Sequence, residues 1–244
     1  LGHEENVHLH NLVVDLNSGK EEAFRAGHEA KHAENYRINS FHLGEGSPKQ
    51  KFRANMDAIY TLKALENQHR DATPEEQETL ANYVGWGGLA DAFDAEKTAW
   101  TGEYKELKAA LTEEEYAAAR ASTLNAHYTS PTVIRAIYEA LDGMGFEKGN
   151  ILEPSMGVGN FFGMLPDSML GSRLYGVELD SITGRIAQKL YPQAEIKVAG
   201  FETTDRRDFY DLAVGNVPFG NYRVSDKPYD KLGFSIHNYF FAKA

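Results

Sequence analysis

The stretch Ile151-Leu-Glu-Pro-Ser-Met-Gly-Val-Gly-Asn-Phe161 constrains this chain more than any other. A short apolar run is the pattern of a parallel strand buried on both faces, and Gly157 and Gly159 let the backbone turn sharply and approach a ligand with no Cβ in the way. A second apolar run, Leu174-Tyr-Gly-Val-Glu-Leu179, places Glu178 19 residues beyond Gly159. An acid at a strand end at that distance reaches a nucleoside ribose in doubly wound folds. A third run, Asp211-Leu-Ala-Val-Gly-Asn-Val-Pro-Phe-Gly220, ends in Asn216-Val217-Pro218-Phe219.

The periodicity around these runs predicts strand, helix, strand, helix, strand, strand. Helices are expected at Ser181 to Tyr191 and from Ser130-Pro131 to Gly143, a strand at Glu195 to Val198, and its exit at Gly200-Phe-Glu202. That order is a doubly wound, Rossmann-like α/β sheet with its ligands at the carboxyl edge. The glycine turn, Glu178 and the Asn216 loop all fall at that edge, so they are expected to converge in one crevice.

Upstream, the polar cluster Leu43-Gly-Glu-Gly-Ser-Pro48 marks a first boundary, followed by a helical pattern from Phe52 to about His69. Thr73-Pro74-Glu75-Glu76 is a capping box with proline at the first helical position, opening a helix to about Val84, and Thr112 caps another to about Ser122. The turn Tyr83-Val-Gly-Trp-Gly-Gly-Leu89 reads as packing around Trp86, with closure over a ligand as its other use. The expected organisation is a polar segment over 1–50, a helical part over 51–125 and the ligand-binding sheet over 126–244.

Residues 1–50 carry two further patterns. Val7 to Val14 alternates as an edge strand does. Within a helical stretch from Glu21 to Glu34, His28-Glu29-Ala30-Lys31-His32 matches the two-histidine pattern of zinc proteases. No third ligand follows, Lys31 sits inside the motif and the flanks offer no apolar face to bury, so it reads as a chance match on a solvated helix, and no metal is expected.

The chain has no cysteine, which excludes disulfides, thiolate zinc sites and cytosine-C5 methylation, whose chemistry needs a cysteine nucleophile. No run is long enough to span a membrane and no signal peptide opens the chain, so a cytoplasmic protein is expected. A net charge of −11 opposes stand-alone nucleic-acid binding, which rests on Lys and Arg neutralising phosphates.

The Asn216-Val217-Pro218-Phe219 run resembles the Asn-Pro-Pro-Phe/Tyr motif of adenine-N6 amino-methyltransferases, with valine for the first proline. Ala126-His-Tyr-Thr-Ser-Pro131 resembles another cofactor motif of that family, and Glu153 to Phe161 its main one. From about Lys51 onward the chain is similar to the methyltransferase part of large methyltransferase-helicase proteins of conjugative elements and phages. The resemblance implies S-adenosylmethionine as methyl donor and DNA as partner.

It further implies a cofactor site made by Tyr128, Thr129, Glu153, Pro154, Gly157, Gly159, Asn160, Phe161, Glu178, Leu179, Glu202 and Asn216. Glu202 stands where the family often has aspartate to accept from the adenine. Asn216, Val217, Pro218 and Phe219 would handle the target amine. Methyltransferases acting on protein glutamine or RNA guanine use related motifs, and a non-catalytic cofactor-binding or helicase-bracing module is the reading outside enzymology. Ser235 to Ala244 reads as the helix after the fourth strand, so the sheet is expected to be truncated, with the DNA-gripping region missing. The fragment is then expected to keep cofactor binding but methylate DNA poorly. Its open strand edge would be covered by Val7 to Val14, by a second copy of the chain or by the missing helicase part.

Overall fold

The structure, a computed structural model, describes residues 33–39, 44–123, 129–220 and 222–244. All of these belong to the second of two compact units, Ala33–Ala244. The strand expected at Val7 to Val14, the His28 to His32 motif and Tyr128 lie outside the described residues.

The helical part begins with α1 (Pro48–Asn67), whose N-cap Ser47 forms a capping box with Gln50. The box predicted at Thr73 is present: Thr73 and Glu76 exchange both bonds at the start of α2 (Pro74–Ala81). A helix the sequence pattern did not predict, α3 (Thr101–Ala110), follows a 3₁₀ turn and has no side-chain cap. The Thr112 box then opens α4 (Glu113–Ser122), and Ser130 caps α5 (Pro131–Gly143).

The sheet consists of β1 (Asn150–Glu153), β2 (Arg173–Glu178), β3 (Glu195–Val198) and β4 (Leu212–Ala213). All pairings are parallel and the order is β3-β2-β1-β4. A short α6 (Asn160–Gly163) follows the glycine turn, α7 (Ser181–Leu190) crosses from β2 to β3, and α8 (Ile236–Lys243) closes the described chain. The expected doubly wound sheet is therefore present. Because β2 and β3 lie on one side of β1 and β4 on the other, the topological switch point falls between β1 and β4, where such sheets open a crevice for ligands.

Alternation along the strands sorts their side chains to two faces. Ile151 and Leu174 point into a core shared with α1, α2, α5 and α7, whereas Leu152 and Val177 pack against Ile236, Tyr239 and Phe240 of α8. The helical part and the sheet thus share one continuous apolar core. Polar bonds reinforce this junction: Arg185 of α7 grips Glu66 of α1 at 3.0 Å and also pairs with Glu115 of α4. Buried Gln77 of α2 donates to the Leu190 carbonyl at the end of α7 (3.3 Å).

Candidate active site

Two glycines allow the turn after β1 to sit down on the sheet. Gly159 has φ 83°, and a Cβ there would lie 2.6 Å from the ring of buried Tyr191. Gly176 of β2 leaves room for Met156, since a Cβ at 176 would come within 2.2 Å of its sulfur. Met156 N–H donates to the Val177 carbonyl at 3.0 Å, so the turn is fastened to β2 by backbone as well as by packing.

Glu178, at the end of β2, binds the same turn. One carboxylate oxygen accepts the Gly157 N–H at 2.7 Å and the other accepts the Asp180 N–H at 2.8 Å. Asp180 in turn caps α7, accepting the Thr183 N–H at 2.8 Å. Glu153, at the end of β1, is only 3% exposed, and its Oε2 has no hydrogen-bond partner among the described residues. Desolvation, and then the neighbouring Glu178 charge, push the Glu153 carboxyl well above the usual carboxylate range. Desolvation first, and then the Asp180 charge, also raise Glu178, partly opposed by backbone N–H bonds, those of Asp180 and Gly157 foremost.

These groups line a cavity of about 240 Å³ at the switch point. The sequence-predicted residues Thr129, Glu153, Gly157, Asn160, Phe161 and Glu178 line it, together with all four of Asn216, Val217, Pro218 and Phe219. Phe219 is 67% exposed at its mouth. Three carboxyl side chains, Glu153, Glu178 and Asp180, face the space, and no Lys, Arg or His is among the described lining residues. Such a lining suits a cationic or neutral ligand and offers a phosphate no cationic side chain from the described residues.

Four sequence-predicted residues are not in the lining. Pro154 and Gly159 are buried behind the turn and shape it. Leu179 follows Glu178 with 76% of its surface exposed. Glu202 lies on the 3₁₀ turn Phe201–Thr203, where Phe201 stacks on Phe240, and is not among the lining residues. The lining also contains residues that sequence reasoning did not assign to the site: Tyr83, Gly85 and Ser122 from the helical part, Ser155, Met156, Asp180 and Thr183 around the turn and α7, and Tyr222 after the Phe219 loop. For Tyr83 and Gly85 the glycine-rich turn was the only local signal. Among the described residues no group of three or more His, Asp or Glu side chains could hold a metal ion.

Fold and cavity together define a doubly wound α/β protein with a glycine-turn, acid-lined ligand site at the carboxyl edge of its sheet. No family model matches the chain. Its sequence relatives include "Defense against restriction protein B" of Escherichia phage P1, 29% identical over 192 residues, 76% of this chain and 7% of that protein. They also include "Type II methyltransferase M.CvrRI" of Paramecium bursaria Chlorella virus XZ-6E, 34% identical over 92 residues, 38% of this chain and 24% of that protein. The chain is thus a homologue of both and spans a quarter or less of either. A solved Listeria monocytogenes protein described as a class I S-adenosylmethionine-dependent methyltransferase superposes with a TM-score of 0.39 and 12% identity, over 80% of this chain and 69% of that one. The fold assignment rests on the parallel strand order β3-β2-β1-β4.

Proposed function

We propose that this chain is the cofactor-binding and catalytic half of a DNA adenine-N6 methyltransferase that uses S-adenosylmethionine. The observation that carries the reading is the meeting, in one cavity with no basic side chain among its described lining residues, of the Glu153 and Glu178 carboxyls with the Asn216-Val217-Pro218-Phe219 loop. The bound cofactor would supply an electrophilic methyl group on a positively charged sulfur. A cationic ligand fits a space lined by carboxyl groups, whereas a dinucleotide pyrophosphate would meet three of them and no cation among the described lining residues.

Glu178 serves the ribose hydroxyls as acceptor while its backbone bonds hold the carboxylate in place. Glu153, with a buried oxygen lacking a partner among the described residues, offers an acceptor to a positively charged or N–H-bearing part of the ligand. An exocyclic amine on an aromatic ring is a poor nucleophile because its lone pair is delocalised. The Asn216 side-chain oxygen and the Val217 backbone carbonyl form a pair of acceptors for its two hydrogens, drawing the nitrogen towards tetrahedral geometry. Because the second acceptor is backbone, valine in place of proline removes rigidity and keeps the chemistry. A base must leave the duplex to arrive here, at roughly a few kcal/mol. Stacking on Phe219 offsets about 1–3 kcal/mol of that.

Calorimetry with S-adenosylmethionine tests the first half of the reading, with one-to-one binding expected. Transfer of tritiated methyl to DNA, followed by digestion to nucleosides, tests the second, with label expected in N6-methyladenine. Label in protein glutamine or in RNA guanine would replace DNA adenine with those substrates, and binding without transfer to any of them would support a cofactor-binding module.

A further inference from the structure

The cavity has a wall that does not come from the sheet. Tyr83 and Gly85, in the turn between α2 and the following 3₁₀ segment, line it together with Glu178, Asp180 and Thr183. The Tyr83 ring is buried, and desolvation first, then the charge of Asp180 and, less, that of Glu178, push its hydroxyl pKa up, while a side-chain bond with Thr183 sets the hydroxyl beside the start of α7. Gly85 presents bare backbone to the space, in a left-handed conformation with φ 67°.

The shape of this turn is set from the helical core. Asn55 of α1 is 0% exposed, the most deeply buried kind of polar residue. Its Nδ2 donates to the Gly85 carbonyl at 2.6 Å, and its Oδ1 accepts the Val84 N–H at 2.9 Å. One side chain therefore satisfies both backbone groups on either side of the Val84–Gly85 peptide. Trp86 anchors the next residue, its ring 5.3 Å from Phe93 and 6.1 Å from Phe52. Gly88 N–H closes onto the Thr123 carbonyl at 3.3 Å. A buried amide at this position has no surface role, and an apolar side chain would have packed α1 as well without fixing the turn.

We propose that residues 83–88 form the second wall of the ligand site, covering the sugar side of a bound nucleoside against Glu178, and that Asn55 is the positioning residue that holds this wall in place. The proposal rests on the S-adenosylmethionine reading and deepens it: the helical part is a component of the site. The wall is pre-shaped by α1, so binding requires α1 and the sheet to be docked together.

Amide hydrogen exchange on the unmodified protein, with and without saturating S-adenosylmethionine, is the direct test. Protection is expected at 83–88 together with 155–160. Protection at 155–160 alone overturns the wall while leaving the cofactor reading intact, and an absence of binding overturns both. Two variants carry the claim to residues. Gly85→Val should raise the dissociation constant about tenfold or more by placing a side chain against the ligand. Asn55→Ala should raise it about tenfold, the loss expected when a hydrogen-bonding partner is removed. Leu65→Ala, also fully buried on α1, should lower the melting temperature comparably without changing affinity. Equal affinity losses in the Leu65 and Asn55 variants would reduce Asn55 to a stability residue and overturn its positioning role.

Discussion

Glu153 and Glu178 end adjacent parallel strands, and both carboxyls open into the same cavity, with no basic side chain among the described residues that line it. Burial makes both harder to ionise in the folded chain than in the unfolded one, with the Glu178 charge adding to the effect on Glu153 and the Asp180 charge adding to that on Glu178.

This gives a pH signature. The Glu153 carboxyl has its pKa raised from 4.5, so above that value the folded state holds a proton that the unfolded state has released. Stability therefore falls as pH rises from the ordinary carboxylate range towards the folded pKa. The groups facing Glu153 are Glu178 from β2, Tyr138 from α5 and Tyr191 from the end of α7, and none of them is a cation that would reverse the sign. Glu153→Gln is expected to flatten the fall and to melt no lower than the parent near neutral pH. Melting temperatures followed from about pH 5 to 8 check it, and parallel curves for the two proteins would remove Glu153 as the source.

Glu178→Ala is expected to weaken S-adenosylmethionine binding, because charge-assisted bonds contribute about 1.5–3 kcal/mol. The sequence alone suggests a fold left intact. The structure adds a cost, since the Gly157 and Asp180 N–H groups lose their acceptor and the turn is loosened. The variant should thus lose affinity and also melt lower. Glu178→Gln, which keeps an acceptor, should recover part of both. A titration giving the parent's affinity for Glu178→Ala would end the ribose assignment.

Two glycines predict opposite signs for the same substitution. Gly159→Ala must accommodate φ 83° and a methyl 2.6 Å from the Tyr191 ring, which is itself buried. Overpacking of this kind costs about 1–3 kcal/mol, and the left-handed backbone adds about 1–2 kcal/mol. Gly102→Ala lies on exposed α3 with nothing within 4 Å of the new methyl, and should stabilise by about 0.5–1 kcal/mol through the unfolded state. Thermal melts read both, at about 2–4 °C per kcal/mol for a chain of this size.

What could be read from sequence follows from how local each signal is. The Thr73 and Thr112 boxes lie within four residues and are realised bond for bond. β3 matches its expected bounds, because alternation needs no partner to be seen. By contrast α3 starts after Trp100 with no side-chain cap bond, and charged residues interrupt its apolar spacing, so nothing local announces it. Asn55 and Gln77 look like surface residues until their partners, 30 and 113 positions away, are brought to them. Tyr222 and Ser122 likewise become site residues only through tertiary placement. The carboxyl edge was legible because strand ends carry their own punctuation; the wall facing it belongs to a different part of the chain.

Phe219 sits at the mouth of the cavity with 67% of its surface exposed, an arrangement that costs apolar burial unless something covers the ring. Val217, two residues earlier, packs against the Phe201 and Tyr239 cluster and so holds the loop, while Phe219 remains exposed. A flipped base lying on that ring would gain about 1–3 kcal/mol, which corresponds to roughly 5- to 150-fold in kcat/KM for DNA. Phe219→Ala is expected to lose that factor with S-adenosylmethionine affinity unchanged, because the ring serves the acceptor and the carboxyls serve the donor. Phe219→Tyr keeps the stacking face and should stay near the parent. Asn216→Ala differs in kind: it removes an acceptor that tightens as the amine becomes tetrahedral, so kcat should fall by about 10²–10³-fold. Steady-state methyl transfer to DNA, paired with calorimetry for the cofactor, separates the two effects, and a Phe219→Ala protein with the parent's kcat/KM would show that the base lies elsewhere.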